Sequence, residues 1–347
     1  MARSRSPFVH RLTLLLGLFA AGCGEGETST GGTTTSTPTF EYPMDDVLRM
    51  NHLQAKGTHN SYHVALDPDV LPELLYTHAP LDVQLSEQGV RKFELDVHLD
   101  AETGQFAVLH EFFDKGTTCP TLRECLSVVK AWSDENPAHH PLFVQIEPKS
   151  VIYEEDAEDR IAALEADVLA VFPRGRIVTP DDVRGGAASV REAITTKGWP
   201  TLGQARGKIA FFIDDTSDWQ GYYTHGKKDL EGRLMFVDGE PSDPFAGILV
   251  FNDPTGEAAL IEESLSLGLI VRVRADSGNT EPFAGDTSRR DAAFASGAQL
   301  VSTDYPAPVE GVDYVVEVPG GTPSRCNPVT APEGCTSESI EDPEYVK

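Results

Sequence analysis

Positive charge is what this 347-residue chain is short of: 28 Lys and Arg stand against 55 Asp and Glu, a formal charge of −27. That deficit excludes nucleic acid as a partner and argues against long-range attraction to an anionic membrane surface. No Gly-x-Ser-x-Gly elbow occurs, so a serine hydrolase is unsupported. No glycine-rich dinucleotide loop follows the first strand-like run, which lowers an open doubly wound sheet. The apolar run Leu12 to Ala21 is too short to span a bilayer. Cysteine is scarce at five, and an odd number in an exported chain needs an explanation.

The N-terminus supplies one. Arg3, Arg5 and Arg11 precede the short apolar run, as in a secretory signal, and Ala20-Ala-Gly-Cys23 resembles a bacterial lipoprotein lipobox with Ala20 where leucine is usual. With Cys23 as the lipid-modified residue, four cysteines remain in two close pairs, Cys119 with Cys125 and Cys326 with Cys335. Their spacing fits local disulfides worth roughly 2–3 kcal/mol each outside the reducing cytoplasm. Zinc is the competing reading, but neither pair has the usual spacing or companion histidines. The expected organisation is a signal peptide (1–22), whose removal of three arginines takes the charge to −30, and a Gly/Ser/Thr tether (23–39). A catalytic domain (40–318) and a C-terminal extension closed by its own cysteine pair (319–347) follow.

Within 40–318 apolar strand-like runs alternate with helical ones. Strands are expected at Leu53 to Gly57, Val90 to Leu99, Phe106 to Glu111, Leu142 to Lys149, Lys208 to Asp214, Arg233 to Asp238, Leu269 to Ala275 and Ala298 to Thr303, with a further short one at Ile248 to Asn252. Helices are expected at Thr121 to Glu135, Glu155 to Phe172, Ser189 to Thr196, Glu257 to Leu267 and Ser288 to Ser296. About eight strands separated by helices or long loops predict an α/β fold, a distorted TIM-type parallel β/α barrel in a single domain. In such barrels active sites lie at the C-terminal strand ends. His59, Glu94, Asp96, His110, Glu147 and Lys149 all fall at or near such ends.

Residues two apart on a strand share a face, so Glu94 pairs with Asp96 and Glu147 with Lys149. Carboxylates buried side by side need positive charge among them. Asn60, Glu94, Asp96 and Glu147 offer only oxygen, which suits a hard cation such as Ca²⁺ or Mg²⁺. The bland alternative is a salt-bridge network with Arg91 or Lys92, two residues read as flanking rather than opposing Glu94. Two histidines at the same mouth, His59 and His110, can serve as general base and general acid. His98 shares the parity of Glu94 and is read as supporting them. His52, His63, His78, His139, His140 and His225 are read as surface or packing residues. Lys149 can hold a phosphate oxygen. Arg272 and Arg274 share a face and point either inward to the phosphate or outward between helices. Together these groups describe in-line attack on a phosphodiester. A glycosidase pair fits poorly, because two strand neighbours do not flank a bond and the histidines would be idle.

At these residues the chain resembles calcium-dependent phosphatidylinositol-specific phospholipases C, with the bacterial secreted branch the nearest. The motifs are Gly57-Thr-His-Asn-Ser-Tyr62, Phe93-Glu-Leu-Asp96, Val108-Leu-His110 and Ile146-Glu-Pro-Lys149, with Ile270-Val-Arg-Val-Arg-Ala-Asp276 and Val301-Ser-Thr-Asp304 as late strands. The resemblance implies that His59 deprotonates the inositol 2-hydroxyl, that His110 protonates the departing diacylglycerol oxygen, and that Asn60, Glu94, Asp96 and Glu147 hold Ca²⁺. Lys149, Arg272 and Arg274 would bind substrate, an inositol phospholipid, and the enzyme would sit on a membrane through the anchor at Cys23. The Glu-x-Asp pattern also occurs in glycerophosphodiester phosphodiesterases, which usually carry His-Arg where this chain has His59-Asn60. A non-catalytic lipid-binding lipoprotein is the alternative from another class; a binder has no need of the second histidine.

Overall fold

The computed structural model describes residues 40–66, 71–321 and 323–347. The expected signal peptide, Cys23 anchor and tether therefore lie outside the described residues. Apolar and β-branched runs make ten strands: β1 (Leu53–Thr58), β2 (Val90–Leu99), β3 (Phe106–Val108), β4 (Leu142–Pro148), β5 (Ile209–Ile213), β6 (Phe236–Val237), β7 (Ile248–Val250), β8 (Ile270–Arg274), β9 (Leu300–Thr303) and β10 (Ser324–Cys326). Eight of them form a parallel wall in the order β6-β5-β4-β2-β1-β9-β8-β7. Helices such as Leu122–Glu135, Ala157–Val171 and Ser288–Ala295 occupy the connections. This is the expected TIM-type barrel, nearly closed. Among the described residues β6 and β7 share no ladder. Asp238 bridges that seam: its Oδ1 accepts from the N–H of Gly239 at 2.8 Å and of Val250 at 2.9 Å.

Two strands differ from expectation. The run from Phe106 is not a wall strand: β3 pairs antiparallel with β2, Val97 opposite Val108. The chain reverses at once because Asp100 accepts from the N–H groups of Glu102 and Thr103 and Gly104 takes φ +69°. So tight a turn allows only an antiparallel partner. The run from Arg233 shortens to two residues, since Arg233 turns away to bond the Tyr223 carbonyl and Glu158. The segment at Ile248 supplies the missing wall strand.

Register sorts the wall into an inner and an outer face. Lys92 lies beside Phe143, Glu94 beside Gln145 and Asp96 beside Glu147; Arg272 neighbours Leu300 and Arg274 neighbours Ser302. Contacts between Glu94 on β2 and Arg272 on β8 can only cross the lumen, because β1 and β9 stand between those strands in the wall. The lumen is therefore apolar toward the N-terminal end, with Ala55, Phe143, Ala210 and Ile270 all buried, and charged toward the C-terminal mouth.

The opposite end is sealed by the chain terminus. β10 pairs antiparallel with the first half of β1 (Leu53 opposite Cys326), and the Cys326–Cys335 disulfide closes the following loop. Beyond it Glu341, fully buried, reaches Arg91 at 2.5 Å. Cys119 and Cys125 form the other disulfide, so the four described cysteines are paired with each other and not with zinc.

Candidate active site

The mouth is assembled first by backbone. β1 ends at Thr58; His59 N–H still bonds Thr303 on β9 at 3.1 Å, and Asn60 then takes φ +42°, a conformation asparagine tolerates better than most residues. Ser61 clips this turn to β2, its N–H on the Glu94 carbonyl at 2.9 Å and its Oγ accepting the Glu94 N–H at 2.7 Å. Gly57 is needed for a different reason. A Cβ there would lie 2.7 Å from Cδ of Lys92, whose stem fills that space.

Lys92 corrects the sequence reading. It shares the inward face with Glu94 and Asp96, and its ammonium reaches Glu94 Oε2 at 2.6 Å, Ser302 Oγ at 2.9 Å and the Thr58 carbonyl at 3.3 Å. Arg91 faces outward. Arg272 also points inward, to the same Glu94 oxygen at 2.7 Å and to Asn252 Oδ1 at 2.5 Å. Burial by itself would raise the Glu94 carboxyl, but Arg272 and Lys92 outweigh it and hold it well below the usual carboxylate range. Burial lowers Lys92 to about 7 against the pull of Glu94.

Asp96 is in the opposite condition. It is fully buried, and neither carboxylate oxygen has a hydrogen bond; its near cation is Lys149, 3.1 Å from Oδ2. Burial, then the neighbouring Glu147, pushes its carboxyl well above the ordinary range. Lys149 also pairs with Glu147. Ligand oxygens of Glu94, Asp96 and Glu147 all lie within 4.8 Å of one another. Three convergent carboxylates, one of them buried with no hydrogen bond and only the Lys149 ammonium beside it, fit a hard cation held by oxygen. Asn60, on the turn that Ser61 clips to Glu94, has its Nδ2 on the Tyr76 hydroxyl at 3.1 Å, so the amide oxygen is the atom it has to offer.

His59 Nδ1 lies 2.8 Å from Asp304 Oδ1, which as a carboxylate can only accept; Nδ1 therefore carries the proton and Nε2 the lone pair. Nε2 sits 3.3 Å from Arg274 Nη1 and 3.7 Å from Glu94 Oε1. Burial and then Arg274 hold the imidazole well below its usual range, so it is neutral at pH 7. Arg274 thus points inward too, its Nη2 on Asp304 at 3.0 Å. His110 sits past β3 on a turn. Its Nδ1 is 3.1 Å from Asp114 Oδ2, and its carbonyl accepts from His98 at 3.3 Å. His63, read from sequence as packing, shares that same Asp114 oxygen at 3.0 Å. Asp304 and Asp114, which orient the two catalytic candidates, were not among the predicted residues. The signal for Asp304 was its place right after a strand; Asp114 carried none.

Toward β5 and β6 the mouth is acidic. Burial, then Glu147, lifts Asp214 to about 7, and Asp238 is likewise raised, by burial and Asp214. Around the rim stand exposed apolar side chains on the connections that follow wall strands: Leu66 and Leu71, Val151 and Tyr153, Phe283 on the short helix Thr280–Ala284, and Val309. Phe112 and Phe113, each 70% exposed, form the tip of a two-residue turn whose ends, Glu111 and Asp114, bond each other's backbone.

The model of the Ca²⁺-dependent phosphoinositide phospholipase C family matches residues 48–112 and 108–328. The chain belongs to that family. Its members are phosphoric diester hydrolases that depend on Ca²⁺, and among the described residues the cluster of Glu94, Asp96 and Glu147 could hold such an ion. The fold is shared with solved structures of low identity. A calcium-dependent phosphoinositol-specific phospholipase C from a Gram-negative Pseudomonas superposes with TM-score 0.61 at 19% identity, covering 83% of this chain and 98% of that one. A myo-inositol complex from the same source gives 0.57 at 18%, covering 84% and 99%. The Ca²⁺-dependent enzyme of Streptomyces antibioticus gives 0.55 at 18%, covering 75% and 95%. No curated protein matches this chain.

Proposed function

We propose that this phospholipase C cleaves phosphatidylinositol or a related inositol lipid by attack of the inositol 2-hydroxyl, releasing diacylglycerol and a cyclic inositol phosphate. The observation that carries the reading is the pair of imidazoles each oriented by a carboxylate, His59 by Asp304 and His110 by Asp114, on the chain that also gathers Glu94, Asp96 and Glu147. His59 Nε2, the lone-pair nitrogen, takes the 2-hydroxyl proton as that oxygen bonds phosphorus. Asp304 holds the ring in this tautomer and stabilises the imidazolium that forms. As the bond from phosphorus to the glycerol oxygen breaks, His110 gives that oxygen a proton, its Nδ1–H fixed by Asp114. Asn60, Glu94, Asp96 and Glu147 would hold the Ca²⁺, which neutralises phosphoryl charge and favours the ionised 2-hydroxyl. Lys149, with Arg274, meets the phosphate oxygens. Arg272 is spoken for by Glu94 and Asn252 and acts by holding Glu94 in place.

The apolar rim supports a substrate presented in a lipid surface, since exposed phenylalanines at a turn tip oppose ordinary turn preference. With so acidic a chain, docking would rest on apolar insertion rather than on attraction to anionic lipid. The two disulfides suit an oxidising compartment, and anchoring at Cys23 belongs to the same proposal. Phosphorus NMR of the protein with phosphatidylinositol micelles, in Ca²⁺, in Mg²⁺ and in chelator, tests the reaction. A cyclic phosphodiester resonance that requires Ca²⁺ is expected. Turnover without that resonance would refute attack by the 2-hydroxyl, and no turnover in any condition would refute the substrate.

A further inference from the structure

One member of the carboxylate cluster's surroundings differs from the rest. Lys92 and Arg272 are buried, and each is fixed by three partners from different parts of the mouth. Lys149 is on the mouth side, its side chain 20% exposed, and among the described residues its ammonium contacts only Asp96 and Glu147. Those are two of the three carboxylates that converge within 4.8 Å. An ammonium on a four-carbon stem is a mobile point charge. A cation bound by the same carboxylates competes with it for their charge.

We propose that Lys149 is the displaceable occupant of the cation site: without Ca²⁺ its ammonium holds Asp96 and Glu147, and Ca²⁺ releases it toward the substrate phosphate. The inference rests on the assignment of those carboxylates to Ca²⁺. It makes one residue serve two partners in turn, an internal competitor for the ion and then a ligand for the anion. Ca²⁺ and phosphate must therefore favour each other's binding, and by linkage the effect is equal in both directions. It also sets a high Ca²⁺ threshold, because every ion bound must first break two ion pairs.

Calorimetric titration of Ca²⁺ into the wild type, Lys149→Met, Lys149→Arg and Asp96→Asn, with and without myo-inositol 1-phosphate, tests this. Lys149→Met is expected to bind Ca²⁺ about tenfold more tightly or better, the usual scale for a change beside metal ligands, and to lose the tightening that inositol phosphate gives the wild type. Lys149→Arg should return Ca²⁺ affinity toward the wild-type value. Thermal unfolding gives an independent reading: Lys149→Met should melt lower than the wild type in chelator and gain more from Ca²⁺. Equal or weaker Ca²⁺ binding by Lys149→Met, while Asp96→Asn loses it, would overturn the displacement and show Lys149 to be a fixed scaffold for Glu147. Unchanged Ca²⁺ binding by Asp96→Asn would overturn the ligand assignment itself.

Discussion

Strand β2 carries Arg91 near its start and Asp96 five positions later, both fully buried, and the two charges are treated in opposite ways. At the floor end, on the outer face of the wall, Arg91 meets Glu341 at 2.5 Å, donates to the carbonyls of Leu85 and Val90, and lies 4.7 Å over the Trp132 ring, with only its Nη2 left without a hydrogen bond. Glu341 also accepts the His140 N–H at 3.1 Å, while His140 bonds Ser324 and the Pro141 carbonyl. At the mouth Asp96 has two oxygens without hydrogen bonds, and the Tyr62 hydroxyl and Gln145 Oε1 are similarly bare. A buried polar network left open in this way is a liability to stability unless something binds there. The floor is built for folding and the mouth for a ligand.

If that division is right, changes at the mouth act on turnover and changes on the floor act on stability. The largest effect belongs to His59→Ala, which should lower turnover of phosphatidylinositol micelles by about 10²–10⁴, the usual worth of a general base, with little change in unfolding midpoint. His110→Ala should fall in the same range. Wild-type turnover in either variant would break the mechanism.

On the floor, Arg91→Met leaves Glu341 buried and unpaired, a change that typically destabilises by about 3–5 kcal/mol. Urea unfolding should show this loss, while turnover per folded molecule stays near wild type. The floor also has a pH signature. Burial lowers His139 and His140 to about 4, below the 6.5 of the unfolded chain, so the stability they contribute is complete above that value and lost as pH falls toward 4. On the order of 3 kcal/mol per histidine is at stake. A flat stability curve between pH 7 and 4 would contradict the burial of these rings.

The rim makes a smaller claim. Phe112→Ser with Phe113→Ser removes two exposed rings from a turn tip, and a phenylalanine taken fully out of water is worth about 1.5–3 kcal/mol. Sedimentation with zwitterionic vesicles should show binding weakened at least tenfold, with little dependence on salt. Equal loss on a soluble substrate such as glycerophosphoinositol would mean that the tip acts on His110 and not on the membrane.

Much of the mouth was legible because strand parity and short motifs are local. Glu94, Asp96, Glu147 and Lys149 converge as their spacing implied, and Gly57-Thr-His-Asn sits at the first strand end. Parity was misapplied at Lys92, whose place two residues before Glu94 puts it on the same face. What stayed hidden depends on distant pairings. Asp304 matters only because β9 lies beside β1, and Asp114 only because a turn folds back on His110. Glu341 is nearly the end of the chain and reads as an acidic tail, yet it neutralises Arg91 some 250 positions earlier. The direction of β3 was misjudged because alternation of apolar residues marks a strand without saying which neighbour it will find.

The smallest effect separates the two regions most cleanly, because its sign is unusual. Asp96 has its folded-state carboxyl raised by burial and Glu147, so it stabilises the Ca²⁺-free protein only at low pH and opposes folding increasingly as pH climbs above its unfolded range. Asp96→Asn removes that charge while keeping the shape. In chelator at pH 7 the variant should therefore be more stable than the wild type, by about 1 kcal/mol, even as its Ca²⁺-dependent turnover collapses. The gain should shrink as pH is lowered, the reverse of the floor histidines, whose contribution disappears on acidification. Chemical unfolding of both proteins at pH 5 and pH 7, in chelator, measures the difference directly. A variant that is less stable at pH 7 would mean that the pairing with Lys149 already satisfies Asp96, and the mouth would then be an ion-paired network like the floor.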